Sequence, residues 1–149
     1  MNAQDAIEKA LTGELRIHMR HLETGDEKLV KSNLIVNGAY TQLTYLLAGT
    51  LTNRHVSQVA FGTDGTAAAV TNTGVTGPVV WLATTATYPT VYSVNFHATW
   101  GAAVQNVTEL KEAGLFSADT TLVARTVFQG MRKSTGWQWD IDWVLSYSV

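Results

Sequence analysis

The segment WQWDIDWVLSYSV, residues 137–149, has the pattern that decides the fold. Its apolar and aromatic side chains alternate with a mostly polar row; the apolar row is Trp137, Trp139, Ile141, Trp143, Leu145, Tyr147 and Val149. Successive side chains of a β-strand point to opposite faces of the sheet, so the alternation predicts a long strand with one apolar face. We expect this row to be the core face of a central strand. The alternative is that its last residues reach a subunit interface.

Upstream segments repeat the period of two and predict further strands, separated by Gly, Pro, Asn or Asp. Leu15, Ile17 and Met19 share one side of a strand that forms a hairpin with residues 28–36 through a turn at 23–26. The other strands are expected at residues 55–61, 79–83, 91–100, 107–116, 121–128 and 137–148. Residues 38–49 instead have a helical pattern that ends at Gly49, and we expect this helix to pack on a sheet.

A second, shorter helical pattern lies at the N-terminus, where the apolar residues Ala3, Ala6, Ile7, Ala10 and Leu11 have helical spacing. A helix of about nine residues is marginal alone in water. Its apolar stripe must therefore dock on its own domain or on a neighbouring subunit, and the sequence leaves both open.

These patterns together predict a mainly β protein. The expected fold is an antiparallel β-sandwich or open barrel with one packed helix and a short N-terminal helical arm. Residues 1–12 would form the arm and residues 13–149 a single β-sandwich domain. The Ala/Thr/Gly-rich stretch that ends at Gly77 is the longest expected loop. Its residues Ala67, Val70 and Val75 join the stripe of the arm as candidate assembly contacts.

The bulk composition limits the classes of partner. The net charge is -2 with only 15% charged residues, so no positive field is available for nucleic acid. No stretch approaches the roughly 18 apolar residues of a membrane span. A weakly charged surface suits a subunit that is covered by neighbours, and we expect no cofactor.

The candidate catalytic and ligand-binding residues of this sequence are carboxylates, histidines and tryptophans. Asp140 and Asp142 share a strand face and could form an acid/base pair, with Glu109 or Glu112 as further members of a hydrolase site. Solvated surface carboxylates are the favoured interpretation, so we expect no enzyme. The alternation sends His18 and His21 to opposite faces, which argues against a shared metal ion. His55 and His97 have no ligand partner at metal spacing. A third possibility is a host-glycan module that stacks sugars on Trp81, Trp100 or the C-terminal tryptophans.

The segment LKEAGLFSADTTLVARTVF, residues 110–128, resembles the E-x-G-L-F-x-A-D-G-T-L-x-A-R segment of small virion proteins from tailed bacteriophages. GELRI at 13–17, NLIVNG at 33–38 and VSQVAFGT at 56–63 are similar to that family in the same order. The pattern has Gly where this chain has Thr120, so we expect Asp119 to take the left-handed backbone conformation instead.

The resemblance implies a non-enzymatic structural protein of the virion, assembled in the host cytoplasm. Such a subunit would oligomerise with itself and contact other phage structural proteins. A role in the tail, baseplate or fibre attachment is favoured, and capsid decoration is the alternative.

Overall fold

The computed structural model describes residues 11–21, 23–104 and 106–147. The elements in this part of the chain are β1 (Leu11–His21), β2 (Gly25–Ser32), β3 (Leu34–Ile35), α1 (Asn37–Leu47), β4 (Val56–Gly62), β5 (Val80–Ala83), β6 (Thr85–Thr90), β7 (Ser93–Trp100), β8 (Asn106–Ser117), β9 (Leu122–Lys133) and β10 (Trp137–Tyr147).

The strands form two five-stranded antiparallel sheets. The first sheet has the order β2-β1-β10-β7-β6 and the second has the order β3-β9-β8-β4-β5. Three hairpins, β1–β2, β6–β7 and β8–β9, supply the local pairings. The prediction of a mainly β fold with two antiparallel layers is confirmed.

The strand β10 occupies the centre of the first sheet, between β1 and β7. Trp139, Ile141, Trp143 and Leu145 are all buried, so the expectation of a central core strand is confirmed. Phe61 comes from the other sheet, and its ring lies 5.8 Å from that of Trp139 in an edge-to-face contact. Aromatic pairs at this distance add about 0.5–1.5 kcal/mol to the burial of their surface.

The outer face of the second sheet carries a smaller apolar cluster of its own. Val36, Ala60, Phe116 and Leu122 are buried there, and Val75 of the loop after β4 packs against them. A Cβ at Gly114 would lie 2.9 Å from Val75 Cγ1, so only glycine lets the loop approach this closely. The second sheet is therefore covered on both faces at this cluster.

Several boundaries differ from the sequence expectation. Residues 28–36, which were expected to form one strand, divide into β2 and β3, and these belong to different sheets. Strand β6 was not expected at all, and each of its residues is exposed. The helix α1 buries Ala39 and Gln42, whereas Tyr45 and Leu47, which were expected to pack on the sheet, are exposed.

The N-terminal expectation overlaps the described residues at Leu11 and Thr12. Both belong to β1, where Leu11 pairs with Tyr147 and is buried. The strand thus begins two residues inside the range assigned to the arm. Ala3, Ala6, Ile7 and Ala10 lie outside the described residues.

The prediction for the β8–β9 turn is wrong at one residue. Thr120 itself takes the left-handed conformation, with φ 65°, while Asp119 does not. The backbone N–H of Thr120 donates to Ser117 O at 2.9 Å, and Ser117 N–H donates to Thr121 O at 3.0 Å. This is a three-residue hairpin loop whose last residue must be left-handed, so Thr stands in the position that the related pattern gives to Gly.

Candidate assembly surface

An apolar groove of about 450 Å³ opens at one end of the sandwich, between the first sheet and α1. One wall is formed by the first sheet, from Leu11 of β1 to Tyr88 of β6. The other wall is formed by Leu43 and Leu46 of α1 and by the residues that lead into β4. The lining residues are Leu11, Ala39, Gln42, Leu43, Leu46, Arg54, His55, Val56, Ala86, Tyr88, Val94, Phe96, Val123, Leu145 and Tyr147.

Exposed apolar and aromatic side chains lie on the elements that form this groove: on α1, on β6 and the turn after it, and at the end of β10. We call Tyr45, Leu47, Tyr88, Val91, Tyr92 and Tyr147 the apolar rim. Val91 is 91% exposed and Leu47 is 88% exposed, which is unusual for side chains of this type. The turn that carries Val91 and Tyr92 is held at the mouth because Tyr147 N–H donates to Tyr92 O at 2.8 Å. Exposed patches of this kind mark sites of interaction with other molecules.

A polar cluster fixes the helical wall of the groove. The side-chain amide of Gln42 donates to Ser117 Oγ at 2.8 Å and to Asp119 Oδ1 at 2.7 Å. Arg54 pairs with Asp119 at 2.9 Å and places its guanidinium 3.9 Å from the centre of the Tyr45 ring. The cluster therefore ties the end of α1 to the β8–β9 turn.

The charge of Asp119 is well stabilised in this cluster. Desolvation by burial raises its pKa, but hydrogen bonds from Ser117, Gln42 and Thr121 outweigh that effect and hold the pKa well below the ordinary value. The carboxylate is thus ionised at neutral pH and acts as an acceptor for several donors. Its role here is structural, because each of these contacts is made within the fold.

A buried ion pair holds the loop between β4 and β5. Arg125 Nε donates to Glu112 Oε2 at 2.7 Å, and the side chains of both residues are almost fully buried. Glu112 Oε1 accepts from the N–H of Asp64 at 3.2 Å and from that of Thr76 at 2.5 Å. Arg125 also donates to Thr66 O at 3.0 Å. We call Glu112, Arg125 and these loop contacts the loop clamp.

The candidate contact residues of the loop differ in exposure. Ala67 is exposed, whereas Val70 is half-buried and its carbonyl accepts from the N–H of Asn37 at 2.9 Å. Val75 is half-buried against the outer cluster of the second sheet. Of these three residues, Ala67 is the one with an exposed side chain.

The four carboxylates considered for catalysis do not meet at one site. Asp140 and Asp142 lie on the outer face of the first sheet, where Asp142 Oδ1 accepts from Asn95 Nδ2 at 2.8 Å and Asp140 pairs with Arg20. Glu112 is enclosed in the loop clamp of the other sheet. Glu109 also belongs to that sheet and lies 3.7 Å from Arg132 at the surface.

The histidines are also dispersed. His18 is on the outer face of β1, 3.2 Å from Asp26, while His21 stacks edge-on against Trp137 with ring centres 5.0 Å apart. His97 Nδ1 lies 2.9 Å from Asp142 Oδ1, and His55 lines the groove. Within the described ranges, no three His, Asp or Glu side chains are grouped as metal ligands.

The five tryptophans differ in how exposed their side chains are. Trp100, Trp139 and Trp143 are buried in the core, and Trp137 is half-buried at the end of the sandwich opposite the groove. Trp81 on the edge strand β5 is 42% exposed and packs on Phe116 with ring centres 4.7 Å apart. Trp81 is thus the one of the five with a substantially exposed ring.

Sequence reasoning did not find the groove or its rim. Tyr88 and Val91 flank Pro89 in a stretch without an alternating pattern. Tyr88 is exposed because β6 lies at a sheet edge, which depends on distant pairings, and Val91 lies in the turn that follows β6. The loop clamp could have been found, because the predicted β8–β9 hairpin places Glu112 and Arg125 diagonally on facing strands.

Comparison with known proteins identifies no similar protein. No protein-family model, no curated protein and no solved structure matches the chain. Among the described residues, α1 is too short to be a transmembrane helix.

Proposed function

We propose that this chain is a non-enzymatic structural subunit of a tailed-phage virion. It would assemble as a homo-oligomer and contact other virion proteins, in the tail, baseplate or fibre-attachment region. The observation that carries an assembly role is the apolar rim, which exposes Leu47, Tyr88, Val91 and their neighbours on and next to the elements that form the groove. Such a surface is costly in an isolated protein and is stabilising once neighbouring subunits cover it.

The virion assignment depends on the resemblance of residues 110–128. The polar residues of this segment have architectural tasks in this structure: Glu112 and Arg125 form the loop clamp, and Asp119 accepts hydrogen bonds inside the β8–β9 turn. Motif residues that hold a hairpin and a loop in place suit a protein whose task is assembly. This supports a structural role over a catalytic one.

Copy number tests the proposal and separates its two locations. The amount of this chain relative to the major capsid protein should be measured by mass spectrometry in purified particles of a phage that encodes it. A few to a few dozen copies per particle would support the tail or baseplate. Hundreds of copies would move the subunit to the capsid surface as a decoration protein, and absence from the particle would overturn the proposal.

A host-glycan module is retained as a second candidate because of Trp81. Its half-exposed ring rests on Phe116 and could stack on a sugar. Glycan arrays with the wild type and with Trp81→Ala decide this candidate. Binding that the substitution abolishes would favour it, whereas equal signals, or none, would reject it.

A further inference from the structure

We propose that the apolar rim binds a second copy of this chain, in a two-fold symmetric dimer to which both copies contribute the same surface. This inference rests on the proposed function, from which it takes the assembly role of the rim, and it names the partner that covers the rim. The contact is made by side chains and does not extend either sheet.

The exposed area of the rim is close to what one side of a stable interface needs. Leu47 and Val91 are almost fully exposed, and Tyr88 is 79% exposed. A whole aromatic side chain presents about 150–250 Å² and a leucine or valine about 100 Å², so the exposed parts of the rim residues amount to roughly 500–700 Å². A standard interface buries about 800 Å² on each partner. The rim therefore supplies more than half of one side of such an interface.

Rim residues from different elements meet at the groove. Tyr88 of β6 and Tyr147 of β10 both line it, and the backbone of Tyr147 is bonded to that of Tyr92. The ring of Tyr45 lies 3.9 Å from the guanidinium of Arg54, which also lines the groove. These side chains therefore form a patch at one end of the molecule, and a patch is what a single partner can cover.

The rim can face a copy of itself because it carries no charge. In a two-fold interface the same surface is used by both subunits, so a charged group near the axis would meet a like charge. The rim consists of four tyrosines, a leucine and a valine. Arg54, the cation that lines the adjacent groove, is paired with Asp119 of its own molecule. Like-charge repulsion among the rim residues is thus absent, and two-fold dimers are the commonest oligomers of soluble proteins.

The two edges of the first sheet differ in how they are protected. Strand β2 at one edge carries the charged residues Asp26, Glu27, Lys28 and Lys31, which keep an edge strand from pairing with other chains. Strand β6 at the other edge has the uncharged sequence TATYPT. Its Pro89 has no N–H to donate, so this edge is poorly suited to the addition of a strand. A partner at β6 would instead contact side chains such as that of Tyr88.

Analytical ultracentrifugation of the purified full-length protein tests the dimer. We expect the wild type to pass from monomer to dimer in a concentration series up to about 300 µM. Leu47→Glu/Val91→Glu should raise the dissociation constant at least about a hundredfold, because it places carboxylates of both copies in the contact. The control Val30→Glu, an exposed change on β2, should alter the constant less than about threefold.

Three results would overturn the proposal: a wild type that stays monomeric throughout the series, wild-type species larger than a dimer, and a dimer that the rim variant leaves intact. Circular dichroism shows whether the glutamate variant is folded. If it is not, Leu47→Ser/Val91→Ser gives the same readout without new charges and should weaken the dimer at least about tenfold.

A charge-swap mixture tests whether the rim meets the rim. Leu47→Lys/Val91→Lys should be as weakly associated as the glutamate variant when it is alone. A mixture of the two should associate at least about tenfold more tightly than either variant, because opposite charges then face each other across the interface. A mixture without this recovery would overturn the two-fold arrangement and would place the rim against a different surface.

The dimer and the virion role can fail separately. A chain that is present in particles but monomeric in solution would overturn the dimer, leave the virion role in place and assign the rim to another virion protein. A dimer that Leu47→Glu/Val91→Glu abolishes, in a chain that is absent from particles, would support the dimer and overturn the virion role.

Discussion

The left-handed Thr120 is the clearest local conflict between sequence and backbone in this fold. Its φ of 65° places a β-branched residue where the backbone and Cβ are crowded, which costs about 1–2 kcal/mol. The residue remains there because the hairpin loop requires that conformation. The sequence pattern located this turn correctly but placed the strain on Asp119, because Asp tolerates the left-handed region better than Thr.

Relief of this strain should stabilise the protein. We expect Thr120→Gly to raise the free energy of unfolding by about 1 kcal/mol, with the loss of strain partly offset by the greater freedom of Gly in the unfolded chain. Urea denaturation measures the change. The control Thr73→Gly, at an exposed loop position without a positive φ, should have no effect or lower the stability. Destabilisation by Thr120→Gly would refute this account of the turn.

The lowered pKa of Asp119 predicts a dependence of stability on acid pH. The folded pKa lies below the unfolded value of about 3.9, so the unfolded state binds the proton more readily. The stabilisation of the folded protein by the Asp119 carboxylate is therefore complete above that value and is lost as the pH falls through the folded pKa.

Denaturation at pH 7 and pH 3 can measure this contribution. Asp119→Asn should lower the free energy of unfolding by about 1–3 kcal/mol at pH 7, because charge-assisted hydrogen bonds are weakened, and by less at pH 3. Glu27→Gln, an exposed change on β2, is the control and should have little effect at either pH. If Asp119→Asn lowered the free energy of unfolding equally at both pH values, the charge of Asp119 would not be the cause of the stabilisation.

At the scale of elements, the loop clamp explains how a long Ala/Thr/Gly-rich segment is held against a sheet. Glu112 and Arg125 are buried together, and each bonds to the backbone of the loop. Removal of one partner leaves the other charge buried and unpaired, which costs about 3–5 kcal/mol.

We therefore expect Arg125→Met to destabilise the fold by about that amount and to increase amide hydrogen exchange in residues 63–79. The exposed pair of Glu109 and Arg132 offers a matched control, since Arg132→Met should cost at most about 1 kcal/mol. Unchanged exchange in the loop of Arg125→Met would show that other contacts hold it.

The sequence could predict the strands in which buried and exposed side chains alternate along the chain. Strand β10 alternates because one face meets the core, and the same holds for Leu15 to Met19 in β1. Strand β6 carries no such signal because each of its residues is exposed. The division of residues 28–36 between two sheets depends on pairing with β1 and β9, which a local pattern does not contain.

At the scale of the molecule, the sandwich exposes its apolar surface unevenly. The groove and the apolar rim lie at the end where β10 finishes, while the outer face of the first sheet carries charged and polar pairs such as Arg20–Asp140 and His97–Asp142. One end of the molecule is thus suited to contact with neighbours. The sequence placed its candidate contacts on the arm and the loop, and it gave no signal for the rim, which forms only when distant strands meet.

Incorporation of rim variants into particles tests whether the apolar rim is an assembly surface. Wild-type protein and Leu47→Glu/Val91→Glu would be supplied together during infection by a phage that lacks its own copy, and both would be quantified in purified particles. Because Leu47 and Val91 are exposed, each change should alter stability by only about 0.5 kcal/mol. The control Val30→Glu changes an exposed valine on β2. Wild type and Val30→Glu should enter particles equally, and the rim variant should be largely excluded; equal incorporation of all three, or of none, would rule out the rim as an assembly surface.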